Sequence, residues 1–326
     1  MKTLAFVLAG GSGTRLHPLT VEDSKPALIF AGGYRIVDFA LSNLVNSGIT
    51  SIYVLAQYKP ESLIRHIETV WAPLLAGKEG FIRTLLPQAS GSPYRGTSDA
   101  VFKNLSVIRR DSPDLVAIFA ADHVYRMDVG QMACFHEACG ADVTVSAARV
   151  PVECASSFGV LQSGPDGEVQ SFQEKPRVPA SIPGDPTQAY ASMGNYLFDP
   201  DVLAGLLLAG ASCGTTDFGH DILPRLPGRQ RIYAYDFARN YIPGVLSHEE
   251  RAYWRDVGTL EALRAAQNDI EGAEPLFNLS NAQWPIYGAG RALHAPAVGR
   301  ATSSARAAAR ALRLKSAGPH PRASAA

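Results

Sequence analysis

The sequence predicts an α/β protein with a mainly parallel central sheet, and three observations carry that reading. Continuous apolar runs of strand length recur at residues 4–9, 51–56 and 115–120. Runs without polar alternation suit strands buried on both faces. Segments of helical periodicity lie between them, and a glycine-rich loop and an aspartate stand just beyond the first and third runs. In open α/β sheets ligands bind outside the carboxyl ends of the strands.

Each element follows from its local pattern. The opening MKTLAFVLAGG is apolar but short, and it runs straight into GGSGTRL with no cleavage site before a spacer. It reads as a first strand rather than a signal peptide. Residues 51–56 (SIYVLA) are a second strand, followed by a helix over 60–70 with Leu63, Ile64 and Ile67 on one face. A helix over 98–110 aligns Val101, Phe102, Leu105 and Ile108. Residues 115–120 (LVAIFA) form a third buried strand; 129–139 read as helix and 142–150 as strand. The texture then changes. FGVLQ, a Pro165-Asp166-Gly167 turn and EVQSF read as a hairpin over 158–172. Residues 178–186 are proline-rich and irregular, 232–237 alternate like a strand, and 258–270 form a helix.

Composition bounds the function. The chain has 326 residues, 46% hydrophobic and 18% charged, which suits a folded protein of one large or two ordinary domains. Thirty basic residues balance thirty acidic ones, which excludes a strongly basic nucleic-acid binder. The balance is uneven along the chain. Residues 288–326 hold seven Lys/Arg and no acid, so residues 1–287 carry 23 basic against 30 acidic residues, a net of −7. An acidic body that handles anions must concentrate positive charge locally. Fourteen of the last 39 residues are Ala and six are Arg, too little apolar surface to offset the cost of ordering. The expected organisation is therefore a folded domain over 1–287 and a disordered tail over 288–326, in which 304–314 could at most form an isolated basic helix; a nucleic-acid-binding arm is the competing reading of the tail. No apolar run reaches the roughly 18 residues of a membrane span. Cys134, Cys139, Cys154 and Cys213 make no CxxC or zinc-type pair, as expected for reduced thiols in the cytoplasm.

The strongest local signal is residues 8–16, LAGGSGTRL. Glycines after a strand let backbone N–H groups turn together toward an anion, and Arg15 adds a fork of donors for phosphate oxygens. Neither GxGxxG nor GxxxxGK[ST] is present, so a dinucleotide fingerprint and a P-loop are both unsupported. A tight turn without a ligand is the competing reading. Asp122, just past the third strand, is a suitable Mg²⁺ ligand, with a helix N-cap as its alternative. Asp256 in YWRDVGT is a second candidate, with an ion pair to Arg255 as its alternative. Lys25 and Lys175 each precede a proline, which disfavours helix and is expected to hold both in extended segments. Residues 94–99 (YRGTSD) open a helix whose N–H groups could bind an anion or a base edge. The eight histidines show no ligand spacing and are given no metal role.

Together these segments resemble the ADP-glucose pyrophosphorylase (glucose-1-phosphate adenylyltransferase) family. The matching stretches are LAGGSGTRL (8–16), SKPA with GGYRIVDFALSN (24–43), YRGTSDAV (94–101), ADHVY (121–125), FGV (158–160), EKP (174–176), ASMGNYLF (191–198), DFGHDILP (217–224), YWRDVGTLEA (253–262) and NAQWPI (281–286). The glycine loop and EKP belong to sugar-nucleotide pyrophosphorylases generally, whereas GGYRIVDFALSN, YRGTSDAV, ASMGNY and YWRDVGT are specific to the ADP-glucose branch. The resemblance implies a Rossmann-like nucleotidyltransferase fold, ATP and glucose 1-phosphate as substrates, Mg²⁺ as cofactor, a cytoplasmic location and ADP-glucose made for glycogen. It implies that Gly10, Gly11, Gly13, Thr14 and Arg15 cradle the ATP phosphates and that Lys25 acts at the pyrophosphate end. Asp122 and Asp256 would hold Mg²⁺, and Lys175 would bind the sugar phosphate. Glu174, Ser192 and Gly194 would contact the sugar, and Tyr94, Gly96, Thr97 and Asp99 would lie on the nucleotide side.

Three departures stand out. Members of the family continue into a left-handed β-helix domain after the WPI segment, whereas here the Ala/Arg-rich stretch follows and no hexapeptide repeat is visible. The homotetramer and allosteric pocket that the β-helix domain helps to build are therefore in doubt. Glu22-Asp23 stand where enteric relatives carry basic residues for a sugar-bisphosphate activator, so weak activation by fructose 1,6-bisphosphate is expected. Ala121 stands where glycine is common. Two alternatives to the adenylyltransferase stay open: a nucleotidyltransferase using UTP or dTTP, and a non-catalytic regulatory subunit or unstable truncated paralogue.

Overall fold

The computed structural model describes residues 1–76, 79–87 and 91–289; the stretch from 290 onward, where a disordered tail was expected, lies outside the described residues. The chain enters as β1 (Thr3–Ala9), forms a small hairpin of β2 (Ile29–Ala31) and β3 (Tyr34–Arg35), and passes through α1 (Ile36–Asn46) into β4 (Ser51–Ala56). Next come α2 (Glu61–His66), a π-helical segment (Ile67–Trp71), α3 (Ala72–Leu75) and β5 (Phe81–Leu85). Then follow α4 (Thr97–Lys103), α5 (Leu105–Asp111), β6 (Leu115–Ala120), β7 (His123–Tyr125) and α6 (Val129–Cys139). The second half contributes β8 (Val143–Pro151), β9 (Gly159–Ser163), β10 (Val169–Glu174), β11 (Gln188–Phe198) and α7 (Pro200–Ser212). It closes with β12 (Ile232–Asp236), β13 (Trp254–Asp256) and α8 (Leu260–Asn268).

The three apolar runs lie side by side as expected. β5, β4, β1 and β6 are adjacent and parallel, with Leu4 opposite Ser51 and Thr3 opposite Leu115. Phe6, Val7, Val54 and Ile118 are fully buried, because helices and loops cover both faces of these strands. β11 joins β6 antiparallel and begins the second half of the sheet. One edge of β11 pairs with β8 throughout. The other pairs with β9 at Tyr190 and Ala191 and with β6 from Asn195 onward. The changeover falls at an irregularity between Ser192 and Tyr196, where Gly194 takes φ +70°. A Cβ at Gly194 would stand 3.0 Å from Cβ of Ala120 and so crowd the end of β6. Among the described residues no helix is long and apolar enough to cross a membrane.

Several elements differ from their sequence expectation. The helix expected over 98–110 is two helices that break at Asn104, whose amide donates to the Tyr94 hydroxyl and to the carbonyl of Ala100. α1 carries no solvent-facing side. Every residue from Ile36 to Val45 is buried, and the polar stripe of Asp38, Ser42, Asn43 and Asn46 bonds within the protein. The 258–270 helix begins at Leu260, after Thr259 accepts the N–H of Ala262 as its cap.

Candidate active site

A cleft of ≈ 650 Å³ opens beyond the carboxyl ends of β1, β4 and β6 and is walled on its far side by β9, β10 and β11. Its lining includes Gly10, Gly11, Gly13, Thr14, Arg15 and Lys25 from the first part of the chain and Glu174, Lys175, Ser192 and Gly194 from the second. Tyr94, Gly96, Thr97, Asp122 and Asp256 also reach it. The large separations in sequence are closed by the sheet.

The glycine loop is shaped by Gly13, at φ +61°, which opens a 3₁₀ turn over Thr14–Leu16. Its carbonyl accepts the Thr20 hydroxyl at 3.0 Å, and Leu16 is buried. A Cβ at Gly13 would lie 3.0 Å from Thr20 Cγ2 and 3.1 Å from Lys25 Cβ. Loop and lysine are thus packed together. Lys25 is only 6% exposed, which sets it apart from an ordinary solvated lysine. It is not extended, as its proline neighbour led one to expect. It opens the 3₁₀ turn Lys25–Ala27, where Pro26 is tolerated because early helical positions need no N–H partner. Lys175 also departs from an extended conformation, taking φ +47°. Its N–H donates to the Phe158 carbonyl at 3.0 Å, which holds the residue in that uncommon region.

Asp122 and Asp256 meet because β7 and β13 form a two-stranded antiparallel ladder in which His123 pairs with Asp256. The Lys25 ammonium sits between the carboxylates, 3.0 Å from Asp122 Oδ2 and 3.1 Å from Asp256 Oδ1. The alternatives weighed for each aspartate fall away. β7, not a helix, follows Asp122, and Arg255 pairs with Glu250 at 2.6 Å and Asp269 at 3.0 Å. Desolvation pushes the Asp122 carboxyl upward, but the charges of His123 and Lys25 outweigh it and hold the group down at about 2. His123 Nε2 lies 3.6 Å from Asp122 and 3.8 Å from Asp256. One ligand atom from each of the three residues lies within 4.8 Å of the others. The histidine adjoins a site in which sequence spacing had given it no part. Two hard carboxylate oxygens this close fit a divalent cation.

Gly258 lies where Arg15 crosses toward Asp256: a Cβ there would stand 3.0 Å from both Arg15 Nη2 and Asp256 Oδ1. Glu174 is accommodated by two further glycines. A Cβ at Gly159 or at Gly219 would lie 2.9 Å from its Oε2. Lys175 Nζ is exposed, 3.4 Å from Glu174 Oε1. Ser192 accepts the Gly194 N–H at 3.3 Å, and burial raises the pKa of the neighbouring Tyr196 phenol.

The YRGTSD segment is less free for ligands than its sequence suggests. The N–H groups of Ser98 and Asp99 both donate to the Thr216 carbonyl, so they are not available to an anion. A Cβ at Gly96 would fall 2.4 Å from that same oxygen, so the glycine serves close backbone packing. Asp99 is a correction. It is 3% exposed, bonded to Arg95 and Lys103, and does not line the cleft. Tyr94 stays on the wall, where the Gln57 side chain pairs with both its N–H and its carbonyl. Gln57, Asp217, Gly159, Gly219 and Gly258 line the cleft but were not singled out from sequence. Asp217 and Gly219 sit in the DFGHDILP stretch and Gly258 in YWRDVGT, so the motifs held the signal without the roles.

Residues 4–272 match the sequence profile of the family described as nucleotidyl transferase. Among curated proteins, the chain is 50% identical over 289 residues to the glucose-1-phosphate adenylyltransferase of Thermodesulfovibrio yellowstonii, covering 88% of this chain and 70% of that protein. It is 47% identical over 291 residues to the protein of the same name from Anaeromyxobacter sp., with 88% and 70% covered. For that of Corynebacterium jeikeium the identity is 45% over 289 residues, with 87% and 71% covered.

Proposed function

The chain belongs to the glucose-1-phosphate adenylyltransferase family of nucleotidyl transferases, and on that premise we propose how its cleft works. The protein transfers the adenylyl group of ATP to α-D-glucose 1-phosphate, giving ADP-glucose and pyrophosphate. A phosphate oxygen of the sugar phosphate forms a bond to the α-phosphorus of ATP as the bond to the leaving pyrophosphate breaks. That oxygen is already anionic near neutral pH, so no side chain need remove a proton. The protein's task is to bring two polyanions together in line and to stabilise charge in the transition state.

The observation that carries this reading is the β7–β13 ladder, which sets Asp122 and Asp256 around Lys25 beside the glycine loop. Gly10, Gly11, Gly13 and Thr14 shape a loop that fits the triphosphate, and Arg15 and Lys25 supply positive charge at its pyrophosphate end. Asp122 and Asp256 would hold a divalent cation, Mg²⁺ in our reading, which when bound neutralises phosphate charge. Lys175 receives the sugar phosphate, while Glu174 and Asp217 accept hydrogen bonds from sugar hydroxyls and Ser192 and Gly194 form the adjoining floor. Tyr94 and Gly96 border the nucleotide. The proposed compartment is the cytoplasm.

The test is pyrophosphate release from the purified chain with glucose 1-phosphate and Mg²⁺, using ATP, UTP and dTTP in parallel. Release with ATP well above the others is expected. Preference for UTP or dTTP would overturn the adenylyl assignment, and no release with any nucleotide would favour a non-catalytic role.

A further inference from the structure

Thr97 was expected on the nucleotide side, yet its hydroxyl is engaged elsewhere. Oγ1 donates to Asp217 Oδ2 at 2.8 Å and accepts the N–H of Phe218 at 2.9 Å. Two more contacts join the same segments. The Ser98 and Asp99 N–H groups donate to the Thr216 carbonyl at 2.9 and 3.1 Å, and the missing side chain of Gly96 permits that approach. The other oxygen of Asp217 accepts the His220 N–H at 3.0 Å. Asp221 secures the turn from behind, accepting the N–H groups of Thr216 at 2.7 Å and Asp217 at 2.9 Å. Each Asp217 oxygen therefore holds one internal donor and keeps a lone pair for the cleft it lines.

We propose that Thr97 is a positioning residue for the sugar site: its hydroxyl orients the Asp217 carboxylate toward a hydroxyl of the hexose 1-phosphate and ties that turn to the Tyr94–Gly96 loop. The role rests on the functional reading above. A hydroxyl is required because it must donate to one group and accept from another; valine preserves the shape and can do neither. The Phe218 N–H would then lose its partner, and the Asp217 carboxylate would be free to turn.

Steady-state kinetics on Thr97→Val, Thr97→Ser and wild type test this. Thr97→Val is expected to raise KM for glucose 1-phosphate roughly tenfold, the size of losing one hydrogen bond to a charged group, with KM for ATP changed less than about twofold. Thr97→Ser is expected to restore most of the sugar affinity. In an Asp217→Asn background the Thr97→Val substitution should add little, because its effect passes through Asp217. A rise in KM for ATP as large as that for the sugar phosphate would overturn the proposal, as would unchanged KM values in a folded Thr97→Val protein. If Thr97→Val is insoluble, Thr97→Ala carries the same comparison. If wild type turns over none of these substrates, the functional reading fails. Calorimetric binding of glucose 1-phosphate to wild type and Thr97→Val then decides the role of Thr97, and equal affinities overturn it.

Discussion

Asp122 shows how much of the site depends on single side chains. Its carboxylate faces Lys25 at 3.0 Å and is ionised throughout the neutral range, held at about 2 by His123 and Lys25 against desolvation. Asp122→Asn keeps the shape and removes the charge. It is expected to lower kcat on the order of 100-fold while circular dichroism stays that of a folded protein; near-normal turnover would remove Asp122 from the mechanism. The same group makes a statement about acid stability. A carboxyl depressed in the folded state contributes stability that is full above the ordinary carboxylate pKa of about 4 and is lost as pH falls through its folded value. Denaturant unfolding between pH 4 and 2 should therefore lose stability less steeply in Asp122→Asn than in wild type. LAGGSGTRL, Asp122, EKP and Asp256 were all visible in the sequence. That Lys25 bridges the two aspartates was not, because the three residues belong to segments far apart in the chain.

At the scale of elements, backbone conformation decides what the motifs can do. Gly13 is required by its positive φ and by the closeness of Thr20 and Lys25. Gly13→Ala is expected to cost about 1–2 kcal/mol for the left-handed backbone alone, lowering Tm by a few degrees. The added methyl meets Lys25 Cβ, so kcat should fall as well. A variant with wild-type Tm and turnover would show that the loop tolerates a side chain there. The apolar strands of the parallel half and the β9–β10 hairpin were legible from periodicity and turn residues. α1 and β11 were recognised only as motifs. In α1 the polar stripe of Asp38, Ser42, Asn43 and Asn46 is bonded inside the protein rather than facing water, and the glycine at the centre of β11 breaks the pattern of a strand where the sheet changes partners.

At the scale of the molecule, the stretch after β12 returns across α1 and delivers Asp256 to the cleft. Trp284 donates to Asn43, the Tyr287 N–H donates to Ser42, and Asn46 donates to the Pro285 carbonyl. The main electrostatic clasp is Arg126, which pairs with Glu249 at 3.0 Å with both side chains almost wholly buried, and which lies over the Phe277 ring at 4.1 Å. Arg126→Ala leaves the Glu249 charge buried without its partner. A loss of about 3–5 kcal/mol is expected, with Tm lower on the order of 10 °C. A shift of only a degree or two in a thermal melt would show that the clasp contributes little. The exposed ion pair Arg231–Asp142 is expected to matter far less.

The α/β class, the buried parallel strands, the kind of chemistry and about half of the residues lining the cleft were legible in the amino-acid order. Apolar runs, turn glycines and charged residues beside prolines are local patterns, and each leaves a local trace. Tertiary structure decided what those residues face. It brought Asp256 to Asp122 through a ladder between strands of three residues each. It buried Asp99 among basic side chains and tied the Thr97 hydroxyl to Asp217. Such pairings are set by packing between distant segments, and no spacing within either segment encodes which partner it will meet.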